Sequence, residues 1–346
     1  MCKAGSEREI KCVVWDLDNT LWQGTLLEDD TVFVDDRVMD ILKTLDSRGI
    51  LQSIASKNDY DPAMSKLNEL GLNDYFFYPQ ISWNAKSEAI EAIAESMNIG
   101  IDTLAFIDDQ PFELEEVGFS HPQVLCIHAS DIYKLTDMPR MQPRFITDES
   151  GIRRQLYLRD VERKKTEAKF KGPKEEFLAS LNMVFRIYPA KAEDLRRAEE
   201  LTVRTHQLNT TGITYSQEEL EGFRKSDRHI LLMGSLDDKF GTYGKIGLAM
   251  IECSGDVWHI KLLLMSCRVM SRGVGSVFIN HIRNEARKNG VRLRADMVPN
   301  DRNRMMYMTY KFSSFREIEK SDHRVTFEND LSVVQEFPDY IRVKIA

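Results

Sequence analysis

The chain has 346 residues, 42% of them hydrophobic and 29% charged, with 47 Lys+Arg against 55 Asp+Glu and a net charge of −8. That length holds two ordinary domains, each with its own core, and the acidic balance argues against a general nucleic-acid binder. No apolar run reaches membrane-spanning length, MCKAGSEREIK at the N-terminus has no signal-peptide core, and five cysteines without a CxxC pair point to a reduced, cytoplasmic protein.

The first 140 residues alternate strand and helix signals. Residues 12–16 are predicted as a buried strand. Val38, Ile41, Leu42 and Leu45 recur at helical spacing, and Gly49 stops that helix. Residues 50–55 form a second strand, and Asp61-Pro62 opens a helix with Met64, Leu67 and Leu70 on one face. Phe76-Phe77-Tyr78 is predicted as a short strand and 85–98 as an amphipathic helix. Residues 103–107 and 124–127 are further buried strands. Repeated βα units mean a doubly wound α/β domain with a parallel sheet, here 1–148.

Residues 149–175 are highly charged, with Ile152, Leu156 and Val161 as a thin apolar stripe, and form a connecting helix. Its Arg/Lys run reads as a solvated helix face. From 176 to 346 the order is α+β. Strands are predicted at 183–188, 229–235, 245–253, 256–265 and 291–297, and helices at 192–206, 275–289 and 302–309.

Ligands of doubly wound sheets bind beyond the carboxyl ends of the strands. Strand one ends in Asp16, with Asp18 and Thr20 close behind, and strand two ends in Ser56-Lys57-Asn58. Lys86 opens a helix, and TLAFI runs into Asp108-Asp109. Asp16, Asp18 and Asp108 make a hard oxygen cluster suited to Mg2+. Thr20, Ser56, Lys57 and Asn58 are candidates for holding phosphate oxygens, and Lys86 supplies a positive charge for the phosphoryl group and its nucleophile.

These four segments, in this order, resemble the motifs of the haloacid dehalogenase-like phosphatases. The resemblance implies Asp16 as nucleophile and Asp18 as general acid/base. It implies Mg2+ on Asp16, the Asp18 main-chain carbonyl and Asp108, with Asp109 as a supporting acid. Only about fifteen residues separate Thr20 from the helix at Asp36, too few for a cap domain. The site should be open, admitting a large substrate or using the second domain as its lid.

MSCRVMSRGVGSVFINHIRNEARKNG, 265–290, turns through glycines into a helix, whose start exposes N–H groups. It resembles the pyrophosphate motif of the GCN5-related N-acetyltransferase fold, with Met270 where Gln or Arg usually stands. A fold kept for a pantetheine arm rather than for acetyl transfer fits equally well. Cys267 lies beside Arg268 and near Arg272, charges that favour a thiolate. From the residues alone, the plainer reading is a small buried hydrophobe. Cys12, Cys126 and Cys253 look structural. In RTHQLNTTG, 204–212, His206, Gln207 and Asn209 are candidates to line a site, although a helix cap ending at Gly212 explains most of the run. His259, alternating with Trp258 on a strand, reads as packing.

VVWDLDNTLWQG, AFIDDQPFELEEV, RTHQLNTTG, FGTYGKIG and LLLMSCRVMSRGVG together resemble the FkbH-like glyceryl transferase/phosphatases of polyketide and tetronate pathways, over nearly the whole chain. The resemblance implies an enzyme that takes 1,3-bisphosphoglycerate and loads the acyl unit on a thiol. It then removes the remaining phosphate and delivers glyceryl to the phosphopantetheine arm of an acyl carrier protein. Under it Cys267 accepts the acyl group, and Arg268 or Arg272 binds phosphate. The competing expectation is a plain Mg2+-dependent small-metabolite phosphatase with a non-catalytic docking domain.

Overall fold

The computed structural model describes residues 8–29, 31–205, 207–321 and 323–346. They fall into two compact units, Met1–Leu158 and Arg159–Ala346. Among the described residues no helix is long and apolar enough to cross a membrane.

The first unit runs β1 (Cys12–Trp15), α1 (Asp36–Ser47), β2 (Leu51–Ser56), α2 (Tyr60–Glu69), β3 (Gln80–Ile81), α3 (Lys86–Met97), β4 (Leu104–Asp108), α4 (Pro111–Ser120), β5 (Leu125–His128) and α5 (Asp148–Gly151). The five strands are all parallel, in the order β3-β2-β1-β4-β5. All of β1 is buried, as befits a central strand covered on both faces. Val38, Ile41, Leu42 and Leu45 form the buried stripe of α1. Gly49 follows at φ +70°, and a Cβ there would meet Ser150 O at 2.8 Å, so the turn requires glycine. The chain winds to opposite sides of β1, through β2 and then through β4. A crevice therefore opens beyond the carboxyl ends of β1 and β4.

The predicted strand at 76–78 is not one. Phe76 makes a single bridge to Gln52, Tyr78 takes φ +52°, and Pro79 has no N–H to give a ladder. The two phenylalanines are buried beside β2 without extending the sheet. The two-residue β3 follows instead.

Helix α6 (Arg153–Lys169) spans the division between the units. The second unit continues with α7 (Lys174–Ser180), β6 (Met183–Pro189), α8 (Leu195–Arg204), α9 (Gln217–Lys225), β7 (His229–Asp238), β8 (Gly241–Ser254) and β9 (Val257–Met265). Then come α10 (Val274–Lys288), β10 (Arg292–Met297), α11 (Arg304–Phe312), β11 (Phe315–Lys320), β12 (Val325–Asn329) and β13 (Ile341–Ile345). Its eight strands are ordered β11-β12-β10-β9-β8-β7-β6-β13. The β9–β10 and β6–β13 pairs are parallel and the others antiparallel. Phe185, Leu263 and Phe278 belong to the larger core, with α10, and Leu231, Leu248 and Leu262 to the one under α8 and α9. Helix α9 and β11 to β13 were not foreseen. Only Leu220 of α9 and Phe315 of β11 are buried, so neither carries a strong period.

RTHQLNTTG is not a helix cap. Helix α8 ends at Arg204, and Leu208 to Thr210 lace between β9 and β10 where these diverge. Met265 N–H donates to Leu208 O (2.8 Å), Thr210 N–H to Leu263 O (3.0 Å) and Val298 N–H to Thr210 O (2.9 Å).

The Arg/Lys run on α6 is not uniformly solvated either. Arg163 is 1% exposed, clasps Asp238 with two bonds of 2.7 and 2.8 Å, and lies 3.7 Å over the Tyr243 ring. Removing one partner of a buried bidentate pair strands the other charge. Asp238→Ala should therefore destabilise the second unit by about 3–5 kcal/mol. Hydrogen exchange in the β7–β8 hairpin checks this, and unchanged protection would refute it.

Candidate functional site

Asp16 follows β1 directly and Asp108 ends β4. Because these strands are neighbours, both carboxylates reach the same crevice. Asp16 N–H donates to Ile107 O (2.9 Å), which locks the two strand ends together. Lys86, at the start of α3, points its Nζ between them. It lies 2.7 Å from Asp16 Oδ1, makes a short bond to Asp108 Oδ2, and sits 5.6 Å over the Phe106 ring. All three side chains are buried.

Burial pushes the Asp16 carboxyl up to about 7. The Lys86 charge and a Ser56 hydrogen bond oppose this, and the Asp108 charge adds to it. Asp108 is likewise raised by burial against the pull of Lys86. Burial drags Lys86 down, but the two carboxylates overcome that and leave it raised. Asp109 joins the group: Asp16, Asp108 and Asp109 each bring a carboxylate oxygen within 4.8 Å of the others. Once ionised, three carboxylates against one ammonium leave an excess of negative charge. Hard oxygen donors with that excess fit Mg2+.

Asp18 departs from expectation. Its carboxylate lies outside the cluster, because Trp22 Nε1 (2.8 Å) and Leu26 N (3.0 Å) donate to Oδ1 and Asn58 Nδ2 (3.0 Å) to Oδ2. The Asp16–Asp18–Asp108 cluster is thus corrected to Asp16–Asp108–Asp109, and Asp18 has only its main-chain carbonyl left to offer a metal. Asn58 is buried and orients Asp18. Ser56 is buried against Asp16. Thr20 Oγ1 is buried with no hydrogen-bond partner among the described residues. Lys57 is partly exposed and pairs with Glu113 (2.7 Å).

In the second unit Cys267 opens a short 3-10 turn, Cys267–Val269, and is half-buried. Arg268 Nη2 donates to Tyr243 O (2.8 Å), and Arg272 Nη1 pairs with Glu167 Oε2 (3.0 Å). Burial raises Asp160, and Arg268, Arg163 and Arg272 pull it back. Both arginines expected beside the thiol thus face acids of α6. Gln207 is half-buried, its Oε1 without a hydrogen-bond partner among the described residues. Asn209 is fully buried, and its Oδ1 accepts from Thr211 N and Gly212 N. It fastens its own turn, which corrects its reading as a ligand contact. His206 lies outside the described residues. The other described cysteines behave as structural ones: burial pushes Cys126 up to about 11 and raises Cys12 and Cys253.

Two groups escaped the sequence. Glu113 and Glu116 of α4 reach Lys57 and Ser87. Their three-residue spacing after Asp109 was the available signal. His259 is not simple packing, because its Nε2 stands 2.9 Å from Asp296 Oδ1. Burial would raise Asp296, yet His259 and Lys261 hold it at about 2.

No family model and no curated protein matches the chain. Solved structures do. The N-terminal part of protein BF1531 from Bacteroides fragilis, containing a phosphatase domain complexed with Mg, is 28% identical over 35% of this chain, with a TM-score of 0.33. This chain spans 36% of that protein's length. The ribosomal-protein-S18-alanine N-acetyltransferase of Escherichia coli is 15% identical, covering 44% of this chain and 97% of its own, with a TM-score of 0.35. A PaiA N-acetyltransferase from Thermoplasma acidophilum, in complex with coenzyme A, is 14% identical over 42% and 98%, with a TM-score of 0.31.

The folded Asp16 carboxyl, at about 7 against 3.8 ordinarily, keeps a proton that the unfolded chain has lost. Metal-free stability should therefore fall as pH rises from about 4 to about 7. A cation must displace that proton, so Mg2+ affinity should rise about tenfold per pH unit up to about pH 7 and then level off. Calorimetric titration checks this, and Asp108→Asn should abolish the heat. A flat profile between pH 5 and 7 would contradict it.

Proposed function

We propose that the first unit is a Mg2+-dependent phosphatase site and that the whole chain is a glyceryl transferase/phosphatase. The observation that carries the phosphatase reading is Lys86 buried between Asp16 and Asp108 at two neighbouring strand ends. The Mg-bound phosphatase domain of the Bacteroides protein is consistent with it. Asp16, Asp108, Asp109 and the Asp18 carbonyl would hold Mg2+, which when bound neutralises charge on the carboxylates and the phosphate. Asp16 attacks phosphorus, and the substrate oxygen leaves with a proton from Asp18. Asp18 then takes a proton from the water that hydrolyses the aspartyl phosphate. Lys86 holds the attacking carboxylate in place. Asn58, Trp22 and the Leu26 N–H fix the aim of Asp18.

The finer reading rests on the sequence resemblance. The substrate is 1,3-bisphosphoglycerate, an acyl phosphate. The Cys267 thiolate attacks its acyl carbon, a thioester forms, and the C–O bond to the acyl phosphate breaks with loss of inorganic phosphate. The first unit removes the remaining phosphate ester. The thiol of a carrier-protein phosphopantetheine arm then exchanges with the Cys267 thioester and carries glyceryl into polyketide or tetronate synthesis. One observation favours a second reading: Arg268 and Arg272 are already engaged by Tyr243 and Glu167. Under it the chain is a plain small-metabolite phosphatase, and the second unit is a docking module without chemistry.

Intact mass after mixing with Mg2+ and fresh 1,3-bisphosphoglycerate separates the two. A glyceryl adduct on the wild type and none on Cys267→Ala supports the transferase. Asp16→Asn should keep the adduct in its phosphorylated form and slow phosphate-ester release by about 10³-fold or more. Phosphate release through Asp16 without any adduct would leave the plain phosphatase.

A further inference from the structure

Helix α4 carries more of the site than the two aspartates that precede it. Helix α3 begins without a side-chain cap of its own, since Ala85 stands at its N-cap. Its first N–H groups need acceptors from elsewhere. Glu116 of α4 supplies one. Its Oε2 accepts from Ser87 N (3.1 Å), and its Oε1 takes a short bond from Ser87 Oγ. The carboxylate also places negative charge at the positive end of α3. One turn further on, His121 Nε2 stands 3.1 Å from Ser87 O.

Ser87 follows Lys86 directly. The Lys86 ammonium rides on a flexible four-carbon stem, so where its Cα stands decides whether Nζ meets both carboxylates. Helix α4 is tied to Asp108 as well, whose Oδ1 accepts from N–H of the α4 N-cap residue Gln110 (2.8 Å). At the other strand end, Glu113 of α4 grips Lys57, next to Ser56. One rigid element thus sets the aspartate pair, the β2 loop and the root of α3 against each other.

We propose that Glu116 is a positioning residue: by clamping Ser87 it sets the Lys86 ammonium between Asp16 and Asp108. The proposal rests on the phosphatase reading for its effect on rate, but not for its effect on Lys86 itself. Two measurements follow from that.

The first is a double-mutant cycle on phosphate-ester release. Glu116→Ala should lower kcat about 10–100-fold with KM nearly unchanged, and Glu116→Gln, which keeps one acceptor, should recover most of the loss. In a Lys86→Met background Glu116→Ala should cost nothing more, because the residue acts through Lys86. An equal loss in both backgrounds, or none in the wild type, overturns the proposal.

The second needs no turnover. The full chain is treated with an amine-acetylating reagent, and modification of Lys86 is read by peptide mass against exposed Lys134. Lys86 should be protected in the wild type and in Glu116→Gln, and should label about tenfold faster in Glu116→Ala. Equal protection in all three overturns the proposal. If Asp16→Asn releases phosphate as fast as the wild type, the phosphatase reading falls, and the labelling still judges Glu116.

Discussion

One buried ammonium decides how the first unit is built. Lys86 compensates two carboxylates that could not otherwise stand together out of water. The contact needs three chain segments at one point: the ends of two adjacent parallel strands and the start of a helix that follows a third. A parallel sheet whose order reverses at β1 supplies that point. The compensation is incomplete, because Asp109 adds a third carboxylate. That remainder is why the crevice suits a cation.

Much of this was legible in the sequence. An apolar run that ends in an acid is costly unless the acid meets a partner, and Asp16 and Asp108 both end such runs. What the sequence hid was side-chain direction. Asp18 stands three residues past β1, where Asn19 takes φ +53° and the chain doubles back to a bridge with Trp22. Its carboxylate is drawn to Leu26 N and Trp22 Nε1, away from Asp16. Asp109 follows β4 without such a reversal and reaches the cluster. Spacing ranks the two alike, and the turn after each strand separates them. Arg163 shows the same limit. In a run of basic residues, nothing marks the one that falls under an aromatic ring and between two acids.

The second unit places a different constraint on its chemistry. Where β9 and β10 diverge, Leu208 to Thr210 take up main-chain groups of both strands, and Asn303 Nδ2 closes the knot on Asn209 O (3.1 Å) and Val298 O (2.9 Å). An extended amide-bearing ligand pairs with a strand through such main-chain groups. Here Leu263, Met265 and Val298 have spent theirs on the chain itself. A strand-pairing ligand would therefore find these three positions already taken.

Charge compensation then distinguishes among three arginines of this unit. Arg163, Arg268 and Arg272 face Asp160, Glu167 and Asp238, so each already has a carboxylate set against it. The pairings are unequal. The Asp238 side chain is fully buried and holds Arg163 by two bonds, an arrangement that cannot open without stranding a charge. Glu167 is 38% exposed and holds Arg272 by one contact of 3.0 Å, so water can solvate the glutamate once it is released. Arg272 Nε is buried and makes no hydrogen bond among the described residues. Of the two ion pairs, Arg272–Glu167 is the one that opens at the smaller cost.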